Sequence, residues 1–181
     1  IKGVKKTWKD LETHLRAEMH VCGSPKPLED TVIMMTKFSG NIPGTLIATR
    51  LASGNRGGLR LRVFGSKGGI EWDLENPEQL KFNKYGEPDQ ILTRGHGHGI
   101  NSNVERFVRL GRGFSEGMIE AWSNLYIEFA MAVAARKDGT KIPDGWLSYP
   151  TVEEGASGVR FIEAAVKSNN NGGIWVDCNS K

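Results

Sequence analysis

Two groups of polar residues have the types and spacing that could do chemistry. Arg60 and Arg62 alternate along a strand-like segment, so both guanidinium groups lie on one face and could hold an anion. A solvated sheet face or a subunit contact is the more ordinary interpretation of this pair. His96 and His98 could ligate a metal from a glycine-rich segment, but zinc takes three or four ligands and no cysteine or carboxylate adjoins them. We therefore expect no metal site, and keep a metal-binding module as an alternative.

Other catalytic patterns are missing from the sequence. No Ser-His-Asp or Cys-His set has a familiar spacing, and there is no Walker A motif. A dinucleotide-binding unit would show a strand, then G-x-G-x-x-G, then a helix, and this pattern does not occur either. The glycine-rich segment at 65–69 lies between two predicted strands, where a tight turn explains it.

Length and charge restrict the class of protein. The 181 residues suffice for one domain with a sizeable core. The net charge is +3 with basic residues scattered among acidic ones, which argues against nucleic acid as a partner. No apolar run reaches the roughly 18 residues that span a membrane, and the N-terminus resembles no signal peptide. We expect a cytoplasmic protein without a membrane partner, in which Cys22 and Cys178 are thiols and not a disulfide.

The elements that must position these residues are strands first and helices afterwards. Alternating or β-branched segments bounded by turn residues predict about seven strands, which are joined mostly by short turns. This order predicts the α+β class, with an open-faced, mostly antiparallel β-sheet and helices packed on one face. The predicted strands are residues 30–38, 45–51, 59–64, 70–74, 80–85, 90–93 and 174–178.

Two long helices are predicted near the C-terminal end. The first covers residues 115–137, with Ser115 as its N-cap and Trp122 in an apolar, core-facing stripe. The second begins after Thr151, because T-V-E-E is a capping box that pairs Thr151 with Glu154. A third, short helical stretch falls within residues 100–110.

Three stretches carry motifs that occur together in one protein family. Residues 52–77 combine a glycine loop, a G-S-K-G turn, W-D and E-N-P; residues 115–130 read S-E-G-M-I-E-A-W-S-N-L-Y; residues 149–168 begin Y-P-T-V-E-E-G. In this order they resemble the C-terminal domain of the Gfo/Idh/MocA family, which are NAD(P)-dependent sugar and polyol dehydrogenases. The sequence departs from the family pattern at Gly57, where the family often has Asn, and at 113–115, where G-F-S replaces G-H-P.

The resemblance implies a glyceraldehyde-3-phosphate dehydrogenase-like C-terminal domain. Residues 1–181 would form the substrate-binding and oligomerisation domain, and the N-terminal Rossmann domain would be absent from this chain. NAD or NADP would bind to the full-length enzyme and not to this fragment. The implied partners are the chain's own dinucleotide-binding domain, further copies through the open sheet face, and a small sugar-like substrate. Because the chain begins without Met, we expect a truncated end, from a cloned domain or a proteolytic product.

Family membership would also place the chemistry outside this chain. In the family, a Lys of an E-K-P motif and a D-x-x-x-H pair perform the acid–base work, and neither motif occurs here. We therefore name no catalytic residue and expect no turnover by this chain alone. For substrate binding we predict the loops 50–57 and 94–98, because their polar side chains suit sugar hydroxyls. These residues are Arg50, Asn55, His96 and His98.

Two other functions stay open at this stage. Some members of the broad family use the same hydride chemistry to cleave glycosides, and the residues that distinguish them surround the nicotinamide. A non-catalytic α+β dimerisation module is the other alternative. Whether a dinucleotide-binding domain precedes Ile1 in the encoded protein separates that module from an enzyme.

Overall fold

The computed structural model describes residues 13–22, 28–95, 102–143 and 145–179, except for the side chains of residues 102 and 103. Residues 1–53 and 150–181 belong to one compact unit, and residues 54–149 to a second. In chain order the elements are β1 (His14–His20), β2 (Thr31–Phe38), β3 (Ile42–Thr49), β4 (Arg60–Gly65), β5 (Gly68–Asp73), β6 (Gln79–Lys84), β7 (Gln90–Thr93), α1 (Ser102–Glu105), α2 (Met118–Asp138), α3 (Val152–Asn170) and β8 (Val176–Asp177).

The predicted α+β class is confirmed, but the strands form two sheets where one was expected. Each sheet has four strands, in the orders β3-β2-β1-β8 and β4-β5-β6-β7, and every pairing between described strands is antiparallel. Among the residues that the structure describes, no helix is long and apolar enough to cross a membrane.

The first unit has its core between one face of its sheet and helix α3. Strand β1, which the sequence analysis missed, occupies a central position and alternates strictly: Leu15 and Ala17 are buried, and His14 and His20 are exposed. Burial of this apolar set drives the packing of the helix on the sheet. The core consists of Leu15, Ala17, Met34, Ala164, Ala165, Val176 and Cys178.

Helix α3 begins where the capping box predicted. The Thr151 hydroxyl accepts a hydrogen bond from the Glu154 amide at 3.3 Å, and the Glu154 carboxylate accepts one from the Thr151 amide at 2.7 Å. Near the other end, the buried Ser168 hydroxyl accepts from the Ala17 amide at 2.9 Å and donates to the Ile174 carbonyl at 2.6 Å. These bonds fix the helix to β1 and thereby join the two separate chain segments of the first unit.

The sheet of the second unit has one charged and one apolar face. Arg60 and Arg62 lie opposite Asp73 and Glu71, and Glu71 lies opposite Lys81. The other face is built from apolar side chains whose register places them side by side, and those at its outer strands are exposed. The apolar face comprises Leu61, Val63, Ile70, Trp72, Leu80, Phe82 and Leu92.

Helix α2 differs from its prediction at its start and in its burial. It begins after Gly117 and not after Ser115. The Glu120 carboxylate accepts a hydrogen bond from the Gly117 amide at 2.7 Å, and Gly117 itself makes no side-chain cap bond. Trp122 is 56% exposed, so its assignment to the core was wrong. Glu128 is the buried side chain of this helix, whose residues the structure describes in full. A helical apolar stripe indicates that a face is covered in some assembly, not that this chain covers it.

Candidate functional site

The glycine loop before β4 is held against the E-N-P segment. The amide of Arg56 donates to the Glu75 carboxylate at 2.8 Å. A Cβ atom at Gly57 would lie 2.9 Å from Cδ2 of Leu74, so the side chain of Leu74 would have to shift to admit the asparagine that the family often has there. Asn55 belongs to this loop and is exposed. The loop therefore presents Asn55 from an anchored backbone.

The W-D-L-E-N-P segment is a structural clamp. Trp72 donates its indole N–H to the Pro77 carbonyl at 3.2 Å, and the Asp73 carboxylate lies 2.8 Å from Nε of Arg60. The same carboxylate accepts the Glu75 amide at 2.9 Å. Since the Arg60 guanidinium already has a carboxylate partner, the anion-site interpretation of Arg60 and Arg62 loses its support.

Arg94 connects the end of β7 to the segment that precedes α2. Its Nε lies 2.9 Å from the Glu78 carboxylate and its Nη1 lies 2.9 Å from Oε1 of Glu116. The same guanidinium donates to the carbonyls of Leu110 at 3.1 Å and Phe114 at 2.5 Å. Only 19% of the Arg94 side chain is exposed, so these charge-assisted bonds are shielded from water. Arg94 is thereby fixed at the start of the predicted substrate loop 94–98.

Glu116 forms hydrogen bonds with backbone groups of the same segment. Its Oε1 accepts hydrogen bonds from the amides of Arg109 at 2.7 Å and Leu110 at 2.5 Å, and its own amide donates to Glu78 at 2.8 Å. An ionised carboxylate that accepts several N–H groups and faces a guanidinium is strongly held. The glutamate of the E-G motif therefore shapes the 109–116 turn.

The remaining polar residues of this motif act on the same segment. The hydrogen bond from the Gly117 amide lowers the pKa of Glu120, which carries a cap charge at the positive end of α2. Asn124 accepts from Nε and Nη2 of Arg109 at 3.1 and 2.8 Å. Glu116, Glu120 and Asn124 thus form a scaffold that holds this segment. The sequence analysis gave these residues as part of a resemblance to the family and predicted no contacts for them.

The structure describes two of the four predicted substrate-binding residues. Arg50 is exposed, and its amide donates to the Asp30 carbonyl at 2.9 Å within the first unit. Asn55 is exposed in the second unit. His96 and His98 lie outside the described residues. Their shared role in binding stays a prediction. Sequence reasoning missed Arg94, Glu78 and Glu116, and the E-G motif was the one signal that could have found them.

The described residues contain neither a Rossmann-type unit nor a cluster of potential metal ligands. The Rossmann type of dinucleotide site is built from parallel βαβ units with a glycine-rich turn at a helix N-terminus, whereas all the described strand pairs are antiparallel. No cluster of three or more potential metal ligands occurs among the described histidine, cysteine and acidic residues. We therefore assign no cofactor chemistry to this part of the chain.

Residues 7–178 match the family described as "Oxidoreductase family, C-terminal alpha/beta domain". The chain belongs to this family, the Gfo/Idh/MocA oxidoreductases. The expected resemblance is therefore confirmed over nearly the whole chain. Glu116, Glu120 and Asn124 lie within the matched residues, in one of the three stretches that carried the resemblance.

Similar proteins include longer oxidoreductases of this family. The oxidoreductase YfiI of Bacillus subtilis is 36% identical over 155 residues, which cover 86% of this chain and 39% of that protein. The structure of an inositol dehydrogenase homologue from Azotobacter vinelandii, complexed with NADH and myo-inositol, has a TM-score of 0.84 and 36% identity over 94% of this chain and 45% of that one. An oxidoreductase from Sinorhizobium meliloti has a TM-score of 0.84 and 32% identity over 92% and 47%. The chain thus spans less than half the length of these relatives.

Proposed function

We propose that this chain is the C-terminal substrate-recognition and assembly domain of an NAD(P)-dependent oxidoreductase that acts on a sugar or polyol. The observation that carries this proposal is the likeness, over 94% of the chain, to an inositol dehydrogenase homologue whose structure holds NADH and myo-inositol. NAD or NADP would be held by a dinucleotide-binding domain that the encoded protein supplies upstream. The domain described here would then show no turnover by itself.

The contribution of this domain would be to orient hydroxyl groups of the substrate. Arg50, Asn55, His96 and His98 are the proposed contacts, because they offer hydrogen-bond donors and acceptors from loops. Described residues of both loops are held in place: the Arg56 amide binds Glu75 in one loop, and Arg94, the first residue of the other, pairs with Glu116. An anchored loop loses less conformational entropy when substrate binds, and it holds the reacting carbon more accurately.

The assembly role rests on the apolar face of the second unit's sheet. Leu61, Val63 and Leu92 are 55%, 51% and 45% exposed there, beside a cross-strand set of apolar neighbours. Contiguous apolar surface of this kind marks contact with another protein surface. We propose that another copy of the enzyme covers it. The same face favours the second candidate function, a non-catalytic dimerisation module.

The test begins with the reading frame upstream of Ile1. We expect it to encode a dinucleotide-binding domain; a frame that opens at or near Ile1 would leave only the dimerisation module. The longer protein should reduce NAD(P)+ with at least one sugar or polyol in a panel that includes myo-inositol. Arg50→Ala and Asn55→Ala should each lower kcat/KM by about tenfold, as expected for the loss of a substrate hydrogen bond. Arg136→Ala and Asn170→Ala, exposed positions on α2 and α3, are the matched controls. Equal kinetics for all four variants would refute the substrate role.

A further inference from the structure

Helix α3 is followed directly by the one Asn-Gly pair of the sequence, Asn171-Gly172. Glycine has no side chain, so its amide nitrogen can approach the carboxamide of a preceding asparagine without steric hindrance. Attack of this nitrogen on the carboxamide carbon forms a five-membered succinimide ring and expels ammonia, which is the first step of asparagine deamidation. Asn171 and Gly172 are both exposed, so water can reach the ring and open it. The pair therefore has the composition and the exposure that deamidation requires.

The closing turn of α3, residues 167–173, holds this pair in an unreactive geometry. Asn171 has a ψ of 26°, at which the Gly172 nitrogen points away from the Cβ atom of Asn171, so the ring cannot close. The Gly172 amide donates to the Asn169 carbonyl at 3.2 Å, and Nδ2 of Asn171 donates to the Lys167 carbonyl at 2.7 Å. Deamidation therefore requires that the turn opens, with loss of these bonds and rotation about ψ of Asn171.

This turn can open while the rest of the first unit stays folded. Lys167, Asn171 and Gly172 are exposed, and exposed helix ends fray at a small fraction of the free energy of global unfolding. The anchor of α3 on β1 lies deeper, because the Ser168 side chain is fully buried and accepts the Ala17 amide at 2.9 Å. We therefore expect the closing turn to open while Ser168 keeps the helix in place.

The product of deamidation cannot rebuild the turn. Opening of the succinimide gives aspartate or isoaspartate, and either one carries a carboxylate that can no longer donate to the Lys167 carbonyl. The new charge lies at the negative end of the α3 dipole, where a carboxylate is destabilising. Isoaspartate also adds one backbone carbon before Gly172, upstream of Ile174, whose carbonyl accepts the Ser168 hydroxyl at 2.6 Å. Deamidation therefore weakens the attachment of α3 to β1.

We propose that Asn171 is a deamidation site whose rate is set by the opening of the closing turn of α3. In the open turn, the Gly172 nitrogen gives up its proton and bonds to Cγ of Asn171; the Cγ–Nδ2 bond breaks, and Nδ2 leaves as ammonia. Water, the only other reactant, then adds to one of the two ring carbonyls that flank the Gly172 nitrogen and breaks its C–N bond, which gives aspartate or isoaspartate. The site lies in the first unit, uses no cofactor and goes beyond the proposed dehydrogenase function.

The test follows deamidation of the 181-residue chain at neutral pH by peptide mass spectrometry, in the native state and unfolded in guanidinium chloride. Asn171 should react in both states, but at least about tenfold more slowly in the native state, because only the open turn reacts. Guanidinium chloride well below the unfolding transition should change the native rate less than about twofold, since a local opening exposes little surface. A native rate equal to that of the unfolded chain, or one that rises steeply over this range, would overturn the proposal. So would a native chain in which Asn171 gives no product or another asparagine gives the main one.

Variants separate the closing turn from the general stability of the chain. Gly173→Ala places a side chain at a φ of 75°, which destabilises the turn and should raise the native rate about threefold or more. Gly139→Ala introduces similar strain where α2 ends, at a φ of 68°, and should leave the rate at Asn171 unchanged. Asn171→Gln should abolish the reaction, because the larger ring closes far more slowly, whereas Asn170→Gln should not change it. Equal acceleration by Gly139→Ala and Gly173→Ala would refute control by the turn.

The deamidated product tests the effect on the fold. Ion-exchange chromatography separates it by its added negative charge, and its urea midpoint should be lower than that of the unmodified chain. Asn171→Asp, which adds the charge without lengthening the backbone, should lower the midpoint less than isoaspartate does. Equal midpoints for the isoaspartate product and the unmodified chain would contradict the weakened attachment of α3.

Discussion

The carboxylate of Glu116 lies 2.9 Å from the guanidinium of Arg94, and it also accepts the backbone amides of Arg109 and Leu110. These two side chains are 22 positions apart in the sequence, at the end of a strand and just before a helix. The pair therefore ties the start of the predicted substrate loop to the turn that precedes α2. The position of Arg94 is fixed by groups of the second unit itself.

Removal of Arg94 should destabilise the second unit strongly. Arg94→Met leaves Glu116, 7% exposed, as a buried charge without its guanidinium, and breaking such a pair costs about 3–5 kcal/mol. The free energy of unfolding from urea titration measures this. Arg60→Met breaks the exposed pair with Asp73 and should cost no more than about 1 kcal/mol. Similar losses for the two variants would contradict the role assigned to Arg94.

Gly68 should tolerate no side chain. Its φ of 149° is rarely adopted by other residues, and a Cβ there would lie 2.1 Å from the Asn83 carbonyl oxygen on the neighbouring strand. We expect Gly68→Ala to cost about 3 kcal/mol or to prevent folding, because backbone cannot move aside as a side-chain end can. Gly65→Ala is the control, since its Cβ would lie 3.6 Å from its nearest neighbour. Thermal unfolding followed by circular dichroism would show both effects; equal melting temperatures would disprove the clash.

Acid should weaken the second unit through Glu128. Its pKa in the folded protein is below 4.5, its ordinary value, so its stabilising contribution is fully present above that pH and is lost as the pH falls through the lower, folded value. Urea midpoints measured from neutral pH into this acid range should fall less steeply for Glu128→Gln than for the unchanged protein. Glu163→Gln, at an exposed position of α3, should keep the original slope. A Glu128→Gln slope equal to the original would reject this account.

The two thiols should differ in reactivity. Cys22 is exposed, whereas Cys178 is buried, and burial together with the nearby Asp177 carboxylate raises the pKa of the Cys178 thiol to about 11. Iodoacetamide at mildly alkaline pH should therefore modify Cys22 in the native protein and both residues in urea. Peptide mass spectrometry distinguishes the sites, and Cys22→Ser should leave native protein unmodified. Rapid labelling of Cys178 in the native protein would contradict its burial.

Local patterns predicted most of the secondary structure. Residues 30–38 and 90–93 were assigned to strands that the structure has at Thr31–Phe38 and Gln90–Thr93, and Thr151 caps its helix as the T-V-E-E pattern indicates. Alternation and capping depend on near neighbours, so the sequence displays them directly. Strand β1 was missed although Leu15 and Ala17 alternate with polar residues, because alanine contributes little to an apolar pattern.

Burial was harder to predict than secondary structure. The stripe on α2 that includes Trp122 has helical periodicity, but its exposure depends on what packs against it. The same limit applies to the Arg106–Glu128 pair, since a glutamate within a helix is exposed in most proteins. Glu128 is buried here because Arg106 and Ser148 reach it from segments well separated in the chain.

The sequence by itself determined the family, the α+β class, the order of the elements after β1 and the absence of a dinucleotide-binding motif, because these follow from short-range patterns and ordered motifs. Only the tertiary structure decided that the strands divide into two sheets, that Glu116 and Arg94 meet, and that Arg106 pairs with the buried carboxylate of Glu128. Those features depend on contacts between residues far apart in the chain, and such contacts form only when the elements pack together.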